Sequence, residues 1–165
     1  MPLSNAKAAV MVIFLGMLPH VSAQTVAIKL VNGRNGRPMS DSYVNVWIGN
    51  KEKAAMPIPT DKRGIAQLRL TDNDADVGKP CPNCGDSKTP VMKYDTTVRV
   101  QAGYVLCESR KSDYSWLSIM AFPTQKVLEQ GIVTANACGN ATASPRPGEV
   151  VIFVRPLTWW EKLKQ

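Results

Sequence analysis

Thr60-Asp61-Lys62-Arg63-Gly64-Ile65-Ala66-Gln67-Leu68 places a reversal, bracketed by Asp61 and Gly64, directly before a run in which Ala66, Leu68 and Leu70 share one face. Aspartate accepts local backbone bonds and glycine reaches φ values closed to other residues, so the pair marks a turn, and the period of two that follows marks a half-buried strand. Upstream, Tyr43 to Ile48 alternates in the same way, with Val44, Val46 and Ile48 inward and Trp47 on the opposite side. Asn35-Gly36-Arg37-Pro38 supplies a tighter reversal. Before it, Val26, Ile28 and Leu30 line one face of a strand from Val26 to Val31. The order from Val26 to Leu70 is therefore strand, turn, strand, turn, strand, in the lengths of a small all-β antiparallel sandwich.

Thr71 to Lys93 is polar, rich in Asp, Gly and Pro, and has no apolar period, so it reads as a long loop whose two cysteines favour a cross-link. Alternation resumes over Thr96 to Gln101, and Gly103-Tyr104 turns the chain into Val105 and Leu106. Trp116 to Phe122 reads as a strand, and Pro123-Thr124 with Val127 and Leu128 as a helical turn stopped by Gly131. Val150 to Val154 is continuously apolar, as a central strand buried on both faces would be. Thr158-Trp159-Trp160-Glu161 has the form of a capping box and predicts a short C-terminal helix. Leu163 shares a side with Trp159 and Trp160. A helix this short is unstable alone, so that side must lie on the sandwich, on a membrane surface or on a partner. Docking on its own domain is the simplest expectation.

At the other end Lys7, the apolar run Ala8 to Leu18 and Val21-Ser22-Ala23 follow the charge, core and small-residue order of a secretory signal, with cleavage expected after Ala23. The expected organisation is a leader at 1–23, a sandwich domain at 24–157 and a helical tail at 158–165. The apolar run is short for a bilayer span, which needs roughly 20 residues. The leader holds His20, the only histidine, and one lysine, so cleavage lowers the formal charge by one from +7. Ser-His-Asp and Cys-His hydrolysis are thereby excluded from the exported chain. The cations are dispersed rather than clustered, which argues against nucleic acid and for a solvated basic surface suited to anionic envelope polymers.

Gly36-Arg37-Pro38, Val44-Asn45-Val46 and Thr60-Asp61-Lys62-Arg63-Gly64 reproduce, in order, the "G.P", "V.V" and "TD..G" elements of the carboxypeptidase regulatory-like domains. The chain resembles that family over about residues 25–106, with the long loop as a departure. The resemblance implies a transthyretin-type fold and a module without chemistry. The histidine-dependent ureide hydrolase that shares that fold is not a match, because the exported chain has no histidine.

Four cysteines, Cys81, Cys84, Cys107 and Cys138, fall in the exported part, where disulfides are the default. Cys81-Pro82-Asn83-Cys84 is a turn sequence whose ends lie close enough for a local bridge, leaving Cys107 to pair with Cys138; the crossed pairings stay open. A four-thiolate zinc site lacks the second Cys-x-x-Cys turn, and a dithiol oxidoreductase lacks the helix that its motif opens. Asp72, Asp74 and Asp76 carry a weak calcium possibility, although Val77 and Asn83 occupy the positions where an EF-hand needs Gly and Glu. No other cofactor is implied. Tyr114, Trp116, Trp159 and Trp160 are the candidate ligand or partner contacts. The expected function is that of an exported, non-catalytic β-sandwich module, secreted or periplasmic and bacterial, with an envelope protein or a polysaccharide as partner. Carbohydrate binding through exposed Trp and Tyr is the alternative; a histidine-free enzyme and a zinc protein using all four cysteines stand behind it.

Overall fold

Period-two alternation does what it predicts: in β1 (Gln24–Asn32) Val26, Ile28 and Leu30 are completely buried, and in β2 (Tyr43–Ile48) so are Val44 and Val46. The computed structural model describes residues 24–49, 55–77, 89–108 and 118–163. The remaining strands are β3 (Met56–Pro59), β4 (Ile65–Thr71), β5 (Val91–Lys93), β6 (Thr97–Ala102), β7 (Val105–Leu106), β8 (Met120–Pro123), β9 (Ile132–Val133) and β10 (Glu149–Arg155). Two short α-helices, α1 (Thr124–Gln130) and α2 (Trp159–Lys162), and one 3-10 turn complete the regular structure of the described residues.

Two sheets pack face to face. One runs β5-β4-β1-β10-β7 with β9 also beside β10, the other β3-β2-β6-β8. Between them lie the inward side chains of β1, β4 and β10 on one side and of β2, β3, β6 and β8 on the other, with Val127 of α1 closing one end. Each fully buried aliphatic side chain contributes about 1.5–3 kcal/mol, and this layer is the chief stabilising element of the domain. The second sheet is antiparallel throughout. The first is mixed, and here the fully antiparallel expectation gives way: β10 runs parallel to β1 from Ala27↔Glu149 to Asn32↔Val154, and β5 runs parallel to β4.

β10 is buried on both faces, as its unbroken apolar run requires. Val150, Ile152 and Val154 face the other sheet, while Val151 and Phe153 face outward into a second cluster with Val31 and Cys107. The segment after α1 covers that cluster. Thr134 donates its N–H to the Val151 carbonyl at 2.9 Å and accepts the Phe153 N–H on Oγ1 at 3.0 Å. Asn136 Nδ2 donates to the carbonyls of Gly33 and Ala141. The Cys107–Cys138 disulfide joins the cover to the end of β7.

Both reversals form, but the first has a different role. Gly36, at φ +71°, turns the chain so that Asn32 N–H meets the Arg37 carbonyl at 2.8 Å, and the chain then leaves for the other sheet instead of pairing β2 with β1. The second closes on Asp61, whose Oδ1 accepts the N–H groups of Arg63 and Ile65 at 2.8 and 2.9 Å. Burial pushes the Asp61 carboxyl up, but those N–H bonds and the Arg63 guanidinium outweigh it and hold the carboxyl below its usual range. The Thr71 to Lys93 stretch is not wholly irregular: Asn73 caps a 3-10 turn at Asp74–Asp76, and Val91–Lys93 adds β5 to the sheet. The β3 strand is a further difference. Its Pro57 and Pro59 disfavour strand structure except at an edge, which is where β3 lies.

Candidate functional site

β10 delivers the chain to a corner at Arg155, Pro156 supplies no backbone donor, and Thr158 then opens α2. Thr158 is extended (φ −69°, ψ 162°), and the capping box is complete: Glu161 N–H donates to Thr158 Oγ1 at 3.4 Å, and Thr158 N–H donates to Glu161 Oε2 at 2.7 Å. The same carboxylate takes both arms of Arg155, Nη1 to Oε2 at 2.7 Å and Nη2 to Oε1 at 2.6 Å. A helix of four residues does not persist on local bonds. Here the fork of the last sheet residue, only 12% exposed on its side chain, anchors it. The Arg155 guanidinium, and after it the Thr158 N–H, hold the Glu161 carboxyl far below the usual carboxylate range; Glu161 in turn raises the Arg155 pKa.

The anchored turn does not bury its apolar side. Trp159, Trp160 and Leu163 are 64%, 69% and 61% exposed. Docking of these side chains on the parent sandwich is therefore not what occurs: the polar side of the turn, through Glu161, faces the domain and the apolar side faces away. The two indoles meet edge to face, with centroids 4.6 Å apart and planes at 71°. Lys162 is exposed on the same turn. The result is a small apolar projection with an unpaired cation beside it among the described residues and its acid already neutralised from within. Arg155 is the residue that reading the sequence misses; a strand-ending Arg six positions before the Glu of a capping box is the signal that could have revealed it.

The other candidates are dispersed. Cys81, Cys84, Tyr114 and Trp116 lie outside the described residues. Cys107 and Cys138 are bonded, with Cys107 fully buried. Tyr104 packs against the sandwich core. Asp74 Oδ1 accepts Lys93 Nζ at 2.7 Å, and Asp76 Oδ2 accepts Asn73 Nδ2 at 3.0 Å. Among the described residues no group of three His, Cys, Asp or Glu is placed to hold a metal ion. The outer face of the four-stranded sheet carries two further aromatics that do not touch: Tyr43, 58% exposed, and Trp47, half-buried opposite Arg99, with Asn45 between them donating to Gln101 Oε1 at 3.1 Å.

No helix among the described residues is long and apolar enough to cross a membrane. No protein-family model, no curated protein and no solved structure matches this chain.

Proposed function

We propose that the chain is an exported, non-catalytic β-sandwich module of the bacterial envelope, of carboxypeptidase regulatory-like type, which binds a partner through Trp159, Trp160 and Leu163. One observation carries this reading: three large apolar side chains stay in solvent on a turn whose backbone is fixed by a capping box and a two-armed ion pair. Large aromatic side chains on an ordered backbone lose little conformational freedom on binding, and tryptophan is enriched among the residues that dominate interfaces. Export is supported by the leader-like order of residues 1–23 and by the disulfide. The test compares the protein with its Trp159→Ala/Trp160→Ala variant for retention on native envelope fractions. Loss of retention in a variant with an unchanged unfolding midpoint supports the reading; equal retention overturns it.

Carbohydrate binding is a second reading, favoured by Tyr43, Asn45, Trp47, Arg99 and Gln101 sharing the outer face of one sheet. Rings for stacking, with amides between them and Arg99 opposite Trp47, suit an acidic polysaccharide. Affinity electrophoresis in such polymers, with Tyr43→Ala and Trp47→Ala as variants, decides it.

A further inference from the structure

We infer that the surface received by the Trp159–Leu163 turn is an anionic phospholipid bilayer, contacted from one side and not crossed. This rests on the reading of that turn as the binding element and adds what it binds. Charge decides the class of partner. Glu161, the only acid on the turn, has both oxygens engaged by Arg155, so the turn presents Lys162 as its outward charge, and the sequence continues to Lys164. The full sequence carries a formal charge of +7, and removal of the leader with Lys7 lowers this by only one. A second copy would bring cation to cation. An anionic bilayer offers each lysine a favourable surface potential, and its headgroup boundary suits indole, which has an apolar body and one N–H to keep wet.

Geometry limits the depth. The apolar projection is one turn of helix, and among the described residues no helix can span a bilayer. Trp159, Trp160 and Leu163 can therefore reach the headgroup and acyl boundary and no further. Three side chains give marginal, reversible attachment, of the order shown by a single acyl chain, about 10⁴ M⁻¹, and a second signal is needed for retention. The lysines are that signal. Attachment must then require anionic lipid and weaken with salt.

The experiment uses protein purified from the periplasm of an expressing bacterium and vesicles of phosphatidylcholine with or without phosphatidylglycerol. Cosedimentation with the anionic vesicles, a blue shift of tryptophan emission and loss of binding at high salt are expected. Trp159→Ala/Trp160→Ala should weaken binding by about tenfold or more, and Lys162→Glu should weaken it on anionic vesicles alone. Absence of binding to anionic vesicles, binding that ignores the tryptophan substitutions, or self-association lost with them overturns the inference. A protein partner captured from envelope extracts only by the intact turn, without vesicle binding, also overturns it while leaving the proposed function standing.

Discussion

Arg155 and Glu161 meet at the corner between β10 and α2 through two bonds of 2.7 and 2.6 Å, so an interior strand of the six-stranded sheet holds the C-terminal turn directly. The pair fixes the direction in which Trp159 and Trp160 project without covering either ring.

That pair sets a pH response. The folded pKa of Glu161 lies below its unfolded value of about 4.3. Its contribution is therefore fully present above that unfolded value and is lost only as pH falls through the lower folded one. The turn should stay anchored from neutral pH to about pH 4 and loosen in stronger acid. Glu161→Gln should loosen it already at neutral pH, removing the acid dependence, while lowering global stability by about 1 kcal/mol or less. Hydrogen exchange at the Glu161 and Lys162 amides reads both; equal protection in the variant would dismiss the clamp.

Removal of the indoles should not unfold the protein. With both tryptophans about two-thirds exposed, Trp159→Ala/Trp160→Ala should keep the unfolding free energy within about 0.5 kcal/mol of the parent. Thermal and urea melts measure this, and a clear loss would mean that the rings rest on the sandwich after all.

Gly64 stands at φ +72°, where an added Cβ would sit 2.7 Å from the Leu30 carbonyl oxygen and 2.8 Å from the Met39 nitrogen. Gly64→Val should cost more than about 2 kcal/mol. Gly103→Ala is the matched control: no atom lies within 4 Å of its added Cβ, so the change should stay within about 0.5 kcal/mol. Similar midpoints for the two variants would show that this turn is not under steric constraint.

The Cys107–Cys138 bond closes a separation of 31 residues, for which chain entropy gives about 3–4 kcal/mol. Cys107→Ala/Cys138→Ala should lose stability on that scale and raise hydrogen exchange at Phe153 and Thr134 first, because their mutual bond belongs to the cover over β10. Uniform loss of protection across both sheets would show that the cover does not open separately.

What could be read locally was legible. The alternation of β1, β2, β4 and β6, the apolar run of β10, the glycine stop of α1 and the capping box are each set by neighbours a few positions apart, and each is present. What depends on distant partners was not. β5 has three residues and exists because β4 is there to pair with it; β3 is disguised by two prolines that only an edge strand accommodates. Thr158 and Glu161 announce their helix, but nothing near them announces that Arg155 would take the carboxylate and turn the apolar side outward. The site was half legible for that reason: its residues were visible, their orientation was not.

The pairing of β1 with β10 also bears on when the fold can form. Ala27 waits for Glu149 and Leu30 for Ile152, so the sheet has no centre until nearly the whole described chain is available. Contacts so remote in sequence close slowly, because the loop entropy must be lost before any pairing offsets it. Until then β1 has β4 on one side and an open backbone edge on the other. The central pairing of the sheet is thus the last to become available, because β10 is the final strand among the described residues.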